Sequence, residues 1–559
     1  MMPAALDEAA IVRGRHRFTD PELARIATEA GSAAAWRTGF ERFDRGVLAK
    51  VEGDFAVSFA AGDGRQFAAV DRFALHPLCY RVDGEQVAVA ERADALASGG
   101  SAIDPQALFD YLYFHVIPAP RTVFQEVSRL PAGHCLVAER GRPEVSRWWQ
   151  PHFTEDQSPQ FGSAREEFRR LLRDAVRERM EGKSIGCFLS GGTDSSTVAG
   201  LVTELGGRPA RTYSIGFDAE GYDEMEYARI AARHFGTDHH EYYVTADDVV
   251  RAIPGLAASC DQPFGNSSAL PAYYCSRLAH DDGVERMLAG DGGDELFGGN
   301  VRYAGQRIFE AWGSVPAALR TGLIEPALLG VTGLRQVPLV RKAVSYVEQA
   351  RTPMPDRMQR HNLLLRLGLD EVLTPEFLAS VDVDAPLRQQ REVYARADAQ
   401  ALVNRMLAYD WQYTLADNDL PKVIGAASHA GMPVAFPLLD DRLLDFSLAL
   451  PADYKLKGSQ LRWFFKEALR GFLPDAIIAK KKHGFGLPFG VWVTRHPQLR
   501  ELAFDAVRAF GKRGIVRTAF AERLTDELLP QHPGYYGEMV WILMVAEMWL
   551  RVHDVRATF

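Results

Sequence analysis

Short apolar runs separated by glycine-bearing turns open the chain, and helical periodicities close it. Phe55-Ala56-Val57-Ser58-Phe59 and Gln86-Val87-Ala88-Val89-Ala90 read as strands, with Gly62-Asp63-Gly64 and Asp83-Gly84 supplying turns near them. After Trp148-Trp149 the pattern breaks into a polar, proline-containing stretch, which predicts a linker over 151–162. From Ser163 the period becomes helical, with Phe168, Leu171, Leu172 and Val176 on one face. A strand at Ile185-Gly186-Cys187-Phe188-Leu189 precedes a helix opening near Ser195. A strand over 211–217, a helix over 227–235 and an apolar strand over 285–289 follow. Such alternation predicts a parallel sheet covered on both faces. Beyond residue 300 the reading is almost wholly helical, without repeats or low-complexity segments. The chain therefore divides into 1–150, 151–162 and 163–559.

Composition narrows the class. A chain of 559 residues, 47% hydrophobic, is neither disordered nor fibrous and has room for two large domains or three or four smaller ones. With 64 Lys and Arg against 73 Asp and Glu, its net charge of −9 argues against a dedicated nucleic-acid binder while leaving room for a basic nucleotide pocket. Five scattered cysteines without a C-x-x-C pair fit neither a disulfide framework nor a zinc site. No signal peptide or membrane span is visible. The most apolar stretch, Val540-Trp541-Ile542-Leu543-Met544-Val545-Ala546, is bracketed by Glu538 and Glu547 and reads as a buried helix. The expected location is the cytoplasm, without a membrane partner.

The most informative segment is Ser190-Gly191-Gly192-Thr193-Asp194-Ser195-Ser196, directly after a strand and before a helix. Glycines let the backbone approach an anion, and the helix start adds unsatisfied N–H groups and the positive end of its dipole. An aspartate in an anion cradle is repulsive unless a cation intervenes, so Asp194 implies Mg2+. The Walker pattern and its lysine are missing. The segment matches instead the S-G-G-x-D-S pyrophosphate loop of enzymes that split ATP between its α and β phosphates. Ser214-Ile215-Gly216-Phe217 ends the next strand, where a doubly wound sheet opens its ligand crevice, and Gly216 would admit adenine.

Gly290-Asp291-Gly292-Gly293-Asp294-Glu295-Leu296-Phe297-Gly298-Gly299 follows the third strand. Three carboxylates in one glycine-rich turn need a cation, and the EF-hand spacing fails. Asp294 is expected as a second metal ligand beside Asp194, with Gly290 and Asp291 at the nucleotide and Asp291 and Glu295 orienting the nucleophile or the loop. Of Lys480-Lys481-Lys482, Lys482 is the expected catalytic charge at the α-phosphate.

These residues resemble the asparagine synthetase family over nearly the whole chain. The likeness includes Asp261-Gln262-Pro263-Phe264, Phe436-Pro437-Leu438-Leu439-Asp440 and the segment 482–488. The front third is similar to that family's class II glutaminase domain through Gly53-Asp54-Phe55-Ala56, Asp71-Arg72-Phe73-Ala74-Leu75-His76-Pro77-Leu78, Ile117-Pro118-Ala119-Pro120-Arg121-Thr122-Val123-Phe124 and Leu130-Pro131-Ala132-Gly133. The resemblance implies an α/β fold. An N-terminal Ntn-hydrolase-like domain (αββα) would precede a parallel-sheet ATP pyrophosphatase (PP-loop) domain with a helical C-terminal part. It also implies adenylation of a carboxylate and capture by a nitrogen nucleophile. Ser190, Gly191, Gly192 and Ser195 would bind pyrophosphate, Asp194 and Asp294 Mg2+, and Leu189 with Ser214, Ile215, Gly216 and Phe217 the adenosine.

Two departures matter. Glutamine-hydrolysing relatives carry a nucleophilic cysteine directly after the initiator methionine; here Met2 and Pro3 stand there and the first cysteine is Cys79. The glutamine-holding Arg-Gly-Pro and Asn-Gly-Glu stretches are also missing. The expectation is a degenerate glutaminase domain, with nitrogen taken from ammonia, an amine or the substrate itself. Relatives also carry four charges near positions where Ile424, Gly425, Pro433 and Ala435 stand, which points away from aspartate toward a larger, less polar acid. Relatives without the cysteine include β-lactam synthetases and lasso peptide cyclases, so a macrolactam- or β-lactam-forming cyclase of natural-product biosynthesis is the alternative. The substrate is then a small-molecule or peptide carboxylic acid, and a homodimer or a biosynthetic partner protein is compatible with either reading. A non-catalytic ATP-binding scaffold is disfavoured by the intact Asp194, Asp294 and Lys482. Asp238-His239-His240-Glu241 reads as a strand start, Asn266-Ser267-Ser268 as a polar turn, and Cys187 as a buried small hydrophobe.

Overall fold

The computed structural model describes residues 10–97, 101–156, 159–219, 221–313, 315–329, 338–481 and 486–553. The alternating runs at the front build a stack of four layers. In order come β1 (Ile11–Arg13), β2 (His16–Phe18), α1 (Pro21–Ala30), α2 (Ser32–Phe43), β3 (Val51–Gly53), β4 (Ala56–Ala60), β5 (Gln66–Val70), β6 (Cys79–Asp83) and β7 (Gln86–Ala90). Then follow α3 (Ala93–Leu96), α4 (Pro105–Phe114), β8 (Ser128–Arg129), β9 (His134–Glu139) and β10 (Arg142–Arg147). One antiparallel sheet runs β1-β4-β5-β9-β10 and a second β7-β6-β8.

Strand alternation explains the layering. Phe59 and Phe67 pack with Trp36 and Phe40 of α2, while Ala56, Ala68, Val70 and Leu136 face Leu78 and Val87 of the second sheet. On its far side lie α3 and α4, whose Leu108, Phe109 and Tyr111 share a core with the last helix, Pro533–Val552.

Next come α5 (Phe161–Met180), β11 (Ile185–Phe188), α6 (Thr193–Gly206), β12 (Arg211–Phe217), α7 (Met225–Phe235), β13 (Asp238–Val244), α8 (Ala246–Ser259), α9 (Ala269–Asp281), β14 (Arg286–Leu288), α10 (Gly293–Phe297) and, far downstream, β15 (Val434–Ala435). The sheet order is β13-β12-β11-β14-β15, parallel throughout. The expected α/β architecture with a parallel sheet is what forms. Helices α5, α6 and α7 cover one face through Phe168, Val198 and Ala228 against Cys187 and Leu288. On the other, Cys275 of α9 and Ala427 of the helix Leu420–His429 meet Tyr213 and Met287. A two-residue strand such as β15 is too short to leave a periodic signal.

Two described residues of the predicted linker are held by the downstream chain. Phe153 is buried with its ring 5.6 Å from that of Trp411, and Glu155 accepts from the Gln400 N–H (2.7 Å), the Ala401 N–H (3.0 Å) and Asn404 Nδ2 (2.7 Å). Asp441 accepts from the Gly53 N–H (2.7 Å) and from Arg72 (2.8 Å), and Arg15 pairs with Glu181 (2.7 Å), bracing the front third against the rest. The helix Leu402–Asp410 passes through a π-helical stretch, Trp411–Asp419, into Leu420–His429. Trp541, Met544, Met548 and Trp549 of the last helix are buried, and among the described residues no helix is long and apolar enough to cross a membrane.

Candidate functional site

The carboxyl ends of β11, β12 and β14 open into a cavity of about 1220 Å3, with Ser190, Gly192, Asp194, Asp291 and Asp294 among its walls. The loop after β11 turns through Gly191 at φ 67°, where a Cβ would collide with the backbone of Tyr227 and Ala228 on α7. Only glycine fits this turn. Gly192 caps α6, whose first turn holds Asp194 and Ser195. The Ser190 N–H donates to Ser195 Oγ (3.2 Å), and the two serine hydroxyls lie 3.1 Å apart, so the loop is tied to the start of its own helix. Gly290, just beyond β14, passes so close that a Cβ would stand 2.7 Å from the Ser195 nitrogen. The two predicted loops are therefore in contact.

Asp194 and Asp294 converge, and a residue that sequence reasoning missed joins them. Arg462 grips Asp194 with both terminal nitrogens (Nη1–Oδ2 2.6 Å), and the same Nη1 lies 3.1 Å from Asp294 Oδ1 and 2.9 Å from Thr193 Oγ1. Burial opposes the charge of this guanidinium, but Asp194 and Asp294 hold its pKa above the ordinary value. Its backbone is left-handed (φ 56°), a conformation costing a non-glycine residue roughly 1–2 kcal/mol. Donation from its N–H to the carbonyls of Lys455 (2.8 Å) and Gly298 (3.2 Å) maintains it.

Among the described residues no cluster of three or more His, Cys, Asp or Glu could hold a metal. A pair of carboxylates suits magnesium, which binds through one or two such groups plus waters and phosphates. Gly293 leaves the room, since a Cβ there would overlap the Asp194 carboxylate. The residues present fit the ion.

A second charged group, Lys422 with Asp419, also lines the cavity. Lys422 donates to Asp419 (2.8 Å). Burial opposes its charge, but Asp419, Asp291 and Glu295 keep its pKa raised. Withdrawal from water pushes the Asp291 carboxyl up to about 6, Lys422 acting in the opposite direction. Glu295 is buried, and its carbonyl accepts from Trp411 Nε1 (2.8 Å). Apolar wall is supplied by Phe188, Ile215, Pro271, Ala272, Cys275 and Val423.

Lys482 lies outside the described residues. Within the same lysine run, Lys480 reaches the loop: its Nζ is 3.5 Å from the carbonyls of Ser190 and Gly191 and 3.1 Å from Glu224. Leu189, Ser214 and Ile215 line the cavity, and the Ser214 hydroxyl donates to the Leu189 carbonyl. Gly216 and Phe217 are not part of the wall. The space that Gly216 leaves is filled by Tyr243 and Asp223, and buried Phe217 packs edge-on to Trp492 at 6.0 Å. A side chain at Gly216 would meet the ring of Tyr243.

Ile424, Gly425, Pro433 and Ala435 also stay off the wall; the residues facing in from that region are Asp419, Lys422 and Val423. Conversely, Asn266 and Ser268, read as a plain polar turn, line the cavity, with Asn266 Nδ2 donating to Asn418 (2.8 Å). Of the thiols, Cys187 is pushed up to about 12 and Cys79 up to about 11, both by burial.

Comparison with known proteins yields two domain matches. A family model described as asparagine synthase matches residues 167–551, and one described as a glutamine amidotransferase domain matches residues 38–149. The chain is 24% identical over 517 residues to asparagine synthetase (glutamine-hydrolyzing) 1 of Bacillus subtilis (strain 168), covering 91% of this chain and 79% of that protein. It is 23% identical over 497 residues to asparagine synthetase (glutamine-hydrolyzing) 3 of the same organism, covering 84% and 73%. Over 301 residues it is 25% identical to amidase chry2 of Gibberella zeae, covering 50% and 45%.

Proposed function

Since the chain belongs to the asparagine synthase family and is thereby an ATP-dependent carbon–nitrogen ligase, we propose that it joins a carboxylic acid to ammonia or an amine without hydrolysing glutamine. The observation that carries this reading is the meeting of the Ser190–Ser195 loop, Asp194, Asp294 and Lys422 in one cavity. In this reading residues 163–559 form a PP-loop synthetase domain and residues 1–150 a degenerate Ntn-like domain.

The substrate carboxylate attacks the α-phosphorus of ATP, the bond to the bridging oxygen breaks, and pyrophosphate leaves. The amine then attacks the acyl carbon and expels AMP. Serine hydroxyls and the N–H groups at the start of α6 receive the departing pyrophosphate. Asp194 and Asp294 would hold magnesium, which would neutralise charge on the phosphates. Leu189, Ser214 and Ile215 hold the adenosine. Lys480 brings positive charge to the loop carbonyls, and Lys482 keeps the role that the resemblance gives it. Asp291, with Lys422 and Asp419 nearby, orients the incoming amine.

Two buried thiols argue against a glutaminase in the front third: Cys79 and Cys135 are both fully enclosed, and burial raises both. Thiolate is the nucleophilic form, and neither site favours it. A second reading, in which the acid carries its own amine and cyclises, rests on the missing nucleophilic cysteine, a trait the chain shares with cyclising relatives. Incubation with ATP, magnesium and pooled acids, with and without amines, tests both. Pyrophosphate and AMP are expected, and a product equal to substrate minus water identifies cyclisation. ADP and phosphate instead would defeat the proposal.

A further inference from the structure

One acid on the cavity wall stands apart from the proposed metal pair. Glu224, directly before α7, lines the cavity together with Ser190 and Gly192, and a carboxylate beside a phosphate cradle is repulsive in itself. Its partner is Lys480, whose Nζ lies 3.1 Å from Glu224 Oε2; the two side chains are only 18% and 8% exposed. The same Nζ stands 4.5 Å from the centre of the Tyr227 ring and 3.5 Å from the carbonyls of both Ser190 and Gly191. One ammonium therefore joins the turn after β11, the start of α7 and the end of the short helix Asp475–Ala479. Gly191 is packed into the same corner, where an added Cβ would lie 2.4 Å from the Tyr227 carbonyl carbon.

A trans peptide points its C=O and N–H in opposite directions. By drawing the carbonyls of Ser190 and Gly191 to one side, Lys480 turns the N–H groups of Gly191 and Gly192 to the other. Among the described residues neither N–H has a hydrogen-bond partner. Successive donors of this kind suit an anion. Resting on the ATP-ligase reading, we propose that Glu224 and Lys480 are positioning residues for pyrophosphate: Glu224 holds the ammonium on the carbonyl side of the loop, so an acid on the wall of an anion site strengthens anion binding. If Lys480 instead met the phosphates directly, Glu224 would compete for its charge, and removing the acid would tighten binding. The two arrangements predict opposite signs for one substitution. Every other charged group of the cavity is common to the proteins compared, so the sign does not depend on their sum.

Isothermal titration of the full chain with magnesium pyrophosphate and, separately, with AMP tests this at fixed ionic strength. Glu224→Gln, which keeps the shape and removes the charge, is expected to bind pyrophosphate about tenfold more weakly and AMP within about twofold of wild type. Lys480→Met should show the same split, and the double variant should be no weaker than Lys480→Met alone, because the acid acts through the lysine. Pyrophosphate affinity of Glu224→Gln equal to or above that of wild type overturns the proposal. An equal loss for both ligands overturns it as well, since it marks general damage to the cavity. Should Glu224→Gln fail to fold, Glu224→Asp decides: the charge stays but the reach is one methylene shorter, so pyrophosphate must bind more weakly than to wild type, and an unchanged value overturns the idea. Wild type that binds AMP but not pyrophosphate would defeat the ATP reading itself, an outcome separate from any difference between variants.

Discussion

The synthetase cavity and the front third both contain acidic and basic side chains in close contact, but they use them differently. In the cavity, glycines at 191, 290 and 293 let the two loops and their charged side chains pack closely, with Asp194, Asp294 and Arg462 at the wall. In the front third the ion pairs are structural. Arg129 pairs with Asp261 at 3.1 Å, Asp441 joins Arg72 to the Gly53 N–H, and Asp54 meets His76 at 3.1 Å with further donation from the Arg15 N–H. The lesson is that charge density alone does not mark chemistry; charge beside an opened backbone does.

The comparison breaks most readily at the loop. Asp194→Asn should lower pyrophosphate release by at least about 10²-fold in a coupled assay, because the proposed ion ligand loses its charge. Undiminished release would remove the distinction between the two regions. Gly191→Ala, forced into a positive φ and a backbone clash, should cost about 3 kcal/mol in denaturant unfolding or leave the cavity collapsed. Asp441→Ala should lower stability by about 2 kcal/mol while leaving turnover per folded molecule within about twofold, the signature of a brace.

The pH profile sharpens the same contrast. Asp291 titrates near 6, so the rate should fall as pH drops through about 6, and Asp291→Asn should lose that limb. The folded carboxyl holds its proton more tightly than the unfolded chain does. Acidification through this value therefore costs no stability through Asp291, and a rate loss with an intact melting curve separates titration from unfolding. The smallest effect is expected at the thiols: Cys79→Ala with Cys135→Ala should leave amine-dependent turnover within about twofold, and glutamine should support no product. Glutamine-dependent product that vanishes in the double variant would restore a glutaminase.

The strand, loop and helix around Ser190–Ser195 were legible because the chemistry is local: glycine, serine and aspartate directly follow an apolar run. The same holds for Gly290–Gly299 and for the alternating sheets of the front third. Arg462, Lys422 and Asp419 were not legible. They arrive from helices more than a hundred residues downstream, where each reads as an ordinary charge on a helix or its cap. Gly216 shows the limit of such a signal, since a small residue at a strand end marks a close approach, here of the ring of Tyr243, without naming a ligand. Positions 424, 425, 433 and 435, read as differing in charge from relatives, are not among the lining residues of the cavity, which the sequence does not reveal.

The widened helical turn at Trp411–Asp419 sends neighbouring side chains in opposite directions. Asp417 accepts from the Ala119 N–H (3.3 Å) in the front third, and two residues on Asp419 holds Lys422 at the cavity. One segment is thus a party wall. Adding or deleting a single residue there would rotate both sets at once, so the lining of the cavity and the seating of the front third cannot be retuned independently.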